Sequence, residues 1–150
     1  MSYFIRNNLY CFTSGSFLSN FHEKSFSYKE KIWPTSEHAY QAMKSRYEEV
    51  QEWIRNSHTP GIAKKRGKQI DIRRDWDFIK LEVMEEILQY KFQDYELRQK
   101  LLDTKPYQLI EYTTWNDTYW GTNTELYGQN HLGILLTKLR NDYVTDVINL

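Results

Sequence analysis

Residues 75–92 constrain this chain more than any other stretch. Trp76, Ile79, Val83, Ile87 and Tyr90 recur at three- and four-residue intervals, so on a helix they share one face, while Glu82, Glu85, Glu86 and Gln89 occupy the other. An apolar face of that length has to be covered, which predicts that this helix packs through the centre of the fold. Lys80 and Lys91 project into the same arc as the apolar stripe. Either their stems cover the core edge while the ammonium groups reach water, or they enter a partly dry cleft.

Around that helix the remaining signals are shorter. The chain up to about residue 33 mixes aromatic and β-branched residues with Gly and Ser and reads as short strands and loops, with 26–29 and 31–33 alternating as the strands of a hairpin. Pro34 ends the extended structure, and composition predicts helices over 36–44, 48–54 and 61–69 and another near 97–102. A strand over 107–112 and a loop over 113–129 follow. Leu132, Leu135, Leu136 and Leu139 then give a last amphipathic helix before a polar tail. There is no repeat or linker, and 150 residues suit one domain. The expected architecture is α+β, a mainly helical single domain over 1–150 with a small antiparallel sheet.

Composition excludes several classes of function. Twenty basic residues cancel twenty acidic ones, so no global field draws the chain to nucleic acid or to an anionic membrane, and any attraction for phosphate has to be local. Cys11 is the only cysteine, which rules out an intramolecular disulfide and fits a reducing compartment. The N-terminus lacks the pattern of a signal peptide and no segment approaches the roughly 18 apolar residues of a membrane span, so a cytoplasmic protein is expected. His22, His38, His58 and His131 show no zinc-ligand spacing, and neither a Walker loop, a dinucleotide-binding glycine pattern nor a GxSxG elbow occurs. No metal and no cofactor are predicted. The 16% aromatic content can fill a core or line a pocket that stacks flat rings.

Three stretches carry candidate chemistry. On a helix over 36–44, Glu37, Gln41 and Lys44 lie at i, i+4 and i+7, presenting a carboxylate, an amide and an amine on one face, with Ala39, Ala42 and Met43 opposite. By periodicity alone that face is an ordinary solvated one. Six basic side chains stand against two acidic ones from Pro60 to Asp75, and with Gly67 among them they form either a phosphate site or an exposed charged helix. Asn130, just before the last helix, suits a cap, and a helix start also offers N–H groups to an anion.

Taken together these segments resemble the NADAR (YbiA-like) family. The resemblance runs through Gly15-Ser16-Phe17-Leu18-Ser19-Asn20-Phe21, then Trp33-Pro34-Thr35-Ser36-Glu37-His38-Ala39-Tyr40-Gln41-Ala42-Met43-Lys44, then Arg73-Arg74-Asp75-Trp76-Asp77. It continues through Lys80 with Val83-Met84, Lys91-Phe92, Leu101-Leu102-Asp103-Thr104, Asn116-Asp117 with Trp120-Gly121, and residues 128–133 with Leu139-Arg140. Departures at Lys68, Asp94 and residues 122–126 bear on substrate boundaries more than on fold.

The resemblance implies N-glycosidase chemistry on ribosylated compounds: cleavage of phosphoribosylamino-pyrimidine intermediates of the riboflavin pathway, or removal of ADP-ribose from guanine. It places Glu37, Asp117 and Lys44 as catalytic candidates, Lys44 matching the lysine of guanine-directed members. Asn20, Gln41, Arg73, Trp76, Lys80, Trp120 and Asn130 are candidates for binding substrate. Carboxylates answer the positive charge that develops on the sugar carbon, or activate water, while another group protonates the leaving nitrogen. A lysine whose proton is lost by desolvation or by a neighbouring cation such as Lys80 can instead attack the anomeric carbon. The expected partner is a ribosylated small molecule or an ADP-ribosylated nucleic-acid base, with no membrane and no obligate protein partner. The competing readings are a non-catalytic ADP-ribose-binding module and a nucleic-acid-binding protein using the basic segment.

Overall fold

The computed structural model describes residues 2–149. Among them are six helices and five strands, and the chain packs into two compact units, one of residues 1–19 with 92–150 and one of residues 20–91.

In the first unit, β1 (Tyr3–Arg6) and β2 (Leu9–Phe12) form an antiparallel hairpin. Its two-residue turn puts Asn7 and Asn8 at φ of 54° and 63°, the left-handed conformation that Asn tolerates and that matches the twist of the strands. Beyond the expected antiparallel pairing, β5 (Gln108–Glu111) joins β2 in parallel, with Cys11 opposite Ile110. This gives a three-stranded sheet in the order β1-β2-β5. The first unit also holds α5 (Tyr95–Leu102), capped by the Asp94 carboxylate on the Leu97 N–H at 3.0 Å, and α6 (His131–Asn149), which packs on β5. Leu132, Leu136 and Leu139 are buried as the leucine spacing predicts, and the segment expected as a polar tail continues the helix instead.

In the second unit, β3 (Phe26–Tyr28) and β4 (Lys31–Trp33) form the expected antiparallel hairpin, turning through Lys29 and Glu30 at φ of 51° and 65°. The Trp33 indole N–H donates to the Tyr28 carbonyl at 2.8 Å. Four helices follow: α1 (Ser36–Ala42), α2 (Glu48–Arg55), α3 (Pro60–Gly67) and α4 (Trp76–Lys91). Helix α1 sits among the other three. Thr59 caps α3 by accepting from the Ile62 N–H at 3.1 Å, and Pro60 takes a first-turn position where no donor is missed.

The buried face of α4 is rotated from the predicted stripe. Trp76, Met84, Ile87, Leu88 and Lys91 are buried, while Tyr90 is exposed and lays its ring 5.4 Å from Tyr28. Apolar residues cover so much of the circumference of α4 that spacing permits either face, and packing against α1 and β3 decides between them. The two lysines of the stripe part company. Lys80 is partly exposed and pairs with Asp77 at 3.3 Å, whereas Lys91 is 1% exposed and does not reach water. Among the described residues no helix is long and apolar enough to cross a membrane.

Candidate active site

The N-terminal turn of α1 is unusually well tied. Thr35 caps it, its hydroxyl oxygen accepting from the His38 N–H at 3.2 Å, while the Thr35 hydroxyl and His38 Nδ1 lie 2.7 Å apart. His38 Nε2 donates to the Ser57 carbonyl at 2.9 Å, which leaves Nδ1 to accept the Thr35 proton. Burial pushes the His38 pKa below the ordinary imidazole value, with the Ser57 carbonyl and Glu23 acting against it. From the other side Asn20 holds the turn twice: its carbonyl accepts from the Glu37 N–H at 3.0 Å, and its Oδ1 accepts from the Ser36 hydroxyl at 2.9 Å. The Asn20 side chain is thereby engaged in placing Glu37.

The face that periodicity assigns to solvent is buried. Glu37 is 7% exposed and Gln41 4%, and the Gln41 amide donates to Glu37 Oε1 at 2.8 Å. The other end of that amide, Oε1, is buried and has no hydrogen-bond partner among the described residues. What covers it is α3. A Cβ on Gly67 would lie 1.9 Å from Gln41 Oε1 and 2.8 Å from its Cδ, so only a glycine lets the two helices close here.

Lys44 follows α1 in its closing turn, its N–H bonded to the Gln41 carbonyl at 3.2 Å, and its ammonium lies 5.6 Å from the Tyr40 ring centroid. Burial is the main reason its pKa falls below the ordinary lysine range. Glu37 opposes that shift, and the positive charges of Lys68, Lys64 and Lys80 reinforce it. The carboxylate and amide of α1 and the amine just beyond it are thus gathered with Lys64 of α3, Lys68 at its end and Lys80 of α4 in one unit. The i, i+4 spacing of Lys64 and Lys68 around Gly67 was the signal that could have tied the basic segment to this place.

The other candidates are placed as follows. Trp76 is buried with its ring 5.1 Å from that of Tyr40, so it backs the helix that carries Glu37. Arg73 donates twice to Asp75, at 2.7 and 3.0 Å, and Arg46 adds a third bond to the same carboxylate at 3.0 Å. Those bonds raise the Arg73 pKa and lower that of Asp75. Asp75, which sequence reasoning did not single out, is the residue that orients Arg73.

Asp117, Trp120 and Asn130 belong to the first unit. Asp117 Oδ1 accepts from the Tyr119 and Trp120 N–H groups at 3.2 and 3.0 Å, organising its own loop. Trp120 packs edge-on against Tyr119 with centroids 4.9 Å apart. Asn130 is buried at φ 53°; its Oδ1 accepts from the Glu111 N–H at 2.9 Å and its Nδ2 donates to the Leu109 carbonyl at 3.0 Å, so its amide clamps β5.

Gly67→Ala is expected to push the Gln41 amide off Glu37. Overpacking of this kind costs about 1–3 kcal/mol, offset in part by the better helix propensity of Ala, about 1 kcal/mol. Stability should therefore fall modestly while turnover falls roughly tenfold or more, since a misplaced group is costly to catalysis. Adding Gln41→Ala makes room for the new methyl and should restore the melting temperature but not the turnover. Recovery of both would show that the pair does not position Glu37.

The NADAR domain pattern matches residues 3–143. The chain is 41% identical over 125 residues to N-glycosidase YbiA of Escherichia coli (strain K12), covering 81% of this chain and 78% of that one. It is 33% identical over 130 residues to an N-glycosidase of Nostoc punctiforme, 83% of each chain. A riboflavin biosynthesis protein of Vibrio vulnificus is 33% identical over 129 residues, 84% of this chain and 35% of that longer one. The NMR structure of E. coli YbiA shares the fold with a TM-score of 0.85 at 35% sequence identity, covering 100% of this chain and 93% of that one. With a buried carboxylate held by an amide beside a desolvated lysine, and with these relatives, the chain belongs to the NADAR domain family and is an N-glycosidase.

Proposed function

We propose that the chain acts as a single NADAR domain and hydrolyses the C–N bond between ribose and a base or amine, in an ADP-ribosylated guanine or a phosphoribosylamino-pyrimidine. The observation that carries this reading is the buried Glu37–Gln41 pair on the stretch of α1 that leads into Lys44. As the C1′–N bond breaks, its electron pair leaves with the base and positive charge grows on C1′. The Glu37 carboxylate takes a proton from the attacking water, whose oxygen bonds to C1′, and the leaving nitrogen takes a proton from solvent, to which Glu37 later returns its own. Lys64, Lys68 and Lys80 supply positive charge for phosphate oxygens. The single buried Cys11 supports a reducing, cytoplasmic setting.

The depressed pKa of Lys44 favours a second reading of the same site. Its neutral amine attacks C1′ as the base departs, the C1′–O4′ bond opens with O4′ taking a proton, and the resulting imine is released by water. The test is base release from the two substrates, followed by product analysis, with borohydride added during turnover. A ribosyl adduct on Lys44, absent from Lys44→Ala, is the result expected of the covalent route. Active turnover with no adduct leaves water as the nucleophile, and no base released from either substrate overturns the proposed function.

A further inference from the structure

A cavity of about 430 Å³ lies beside the Lys44 backbone, lined by residues 45–47 and 71–75. That volume falls in the roughly 300–1,000 Å³ range of small-molecule sites. The two lining stretches are tied together by the Arg73 N–H, which donates to the Lys44 carbonyl at 2.9 Å, so the cavity opens one residue beyond the candidate lysine. Its lining has features that folding does not call for. The Tyr47 ring is 69% exposed, Ile72 is 47% exposed, and both belong to this one hollow. Arg74 also lines it and has no hydrogen bond or ion pair among the described residues. Asp75 does not oppose an anion here, because Arg73 and Arg46 both bind it and three arginines line the cavity against two aspartates. An uncommitted guanidinium, an unstacked ring and an exposed aliphatic side chain are what a base joined to a phosphate requires.

We propose that this cavity is a nucleotide subsite, in which a base lies on Tyr47 and Ile72, its phosphate is taken by Arg74, and Asp71 accepts from a sugar hydroxyl. The inference rests on the reading that Glu37 acts on a ribosyl bond, and within that reading it selects substrates that carry a nucleotide besides the ribose being cut. A bare phosphoribosyl amine leaves the cavity empty; an ADP-ribosyl group has an adenylate to fill it.

The test is calorimetric titration of the full chain with AMP and with ribose 5-phosphate, for wild type, Tyr47→Ala, Tyr47→Phe and Arg74→Ala. Wild type should bind AMP. Tyr47→Ala should weaken AMP by roughly tenfold, the scale of one lost base–aromatic stack, and Arg74→Ala by a similar factor through the lost charged hydrogen bonds. Tyr47→Phe, which keeps the ring, should keep the affinity. Selectivity for AMP over ribose 5-phosphate should fall with Tyr47→Ala and hold with Tyr47→Phe. No AMP binding by wild type, or AMP binding indifferent to both alanine variants, overturns the subsite. The two proposals fail separately: base release with AMP binding that ignores Tyr47 and Arg74 sinks the subsite alone, whereas AMP binding that follows them in a chain releasing no base upholds the subsite and sinks the activity.

Discussion

Glu37→Gln is expected to lower kcat/KM for base release by roughly 10³-fold, within the range a positioned acid–base group supplies and equivalent to about 4 kcal/mol of barrier. The amide that replaces the carboxylate neither takes a proton from water nor carries the negative charge that faces the growing cation at C1′. It does keep the shape. A glutamine carbonyl at the position of Glu37 Oε1 still accepts from Gln41 Nε2, now 2.8 Å away, so the buried pair stays bonded and the fold should persist. The same substitution separates the two routes to the sugar carbon. Glu37 holds the Lys44 pKa up against burial and its cationic neighbours, so removing that charge lowers it further and leaves more neutral amine at pH 7. If Lys44 is the nucleophile, a ribosyl adduct should therefore still be trapped in Glu37→Gln while its release by water is slowed. Steady-state kinetics, a thermal melt and borohydride trapping on one preparation give all three readings. Turnover within threefold of wild type would remove Glu37 from the chemistry.

What was legible beforehand was the part of the fold written in local periodicity. Helices α4 and α6 stand where apolar spacing put them, because a 3.6-residue period is a property of the segment itself, and α1, α2, α3 and α5 stand where local composition and the prolines put them. The parallel pairing of β2 with β5 could not be read, because Cys11 and Ile110 meet only through the intervening chain, and neither strand says which partner it takes. The site was legible in the same uneven way. Glu37 and Gln41 were visible as one face, yet the rule that polar faces look outward assigned them to water. They are buried because Gly67, much later in the chain, lets α3 close over them. Asn20 and Asn130 show the converse. Both carry groups suited to a ligand, and both use those groups to hold backbone or side chains in place, a distinction that depends on partners distant in sequence.

Lys91 is where burial has the largest consequence for stability. Sequence allowed its ammonium to reach water along its stem; at 1% exposure it does not, and burial alone brings its pKa down from the ordinary lysine value to about 7. Between pH 7 and the unperturbed value near 10.4 the unfolded chain therefore holds a proton that the native chain lacks, and stability contributed at this residue rises with pH by up to about 1.4 kcal/mol per unit. The window closes above pH 10. There the tyrosines reverse the slope, since burial pushes the Tyr10 pKa up to about 12 and that of Tyr28 still higher, so the unfolded chain gives up their protons first. Lys91→Met keeps an unbranched apolar stem of similar length without the titrating amine. Denaturant melts at pH 7, 8 and 9 should show wild type gaining about 2 kcal/mol over that interval and Lys91→Met gaining much less. A variant that keeps the wild-type slope would mean that the native state holds the Lys91 ammonium charged across this range, against the effect of its burial.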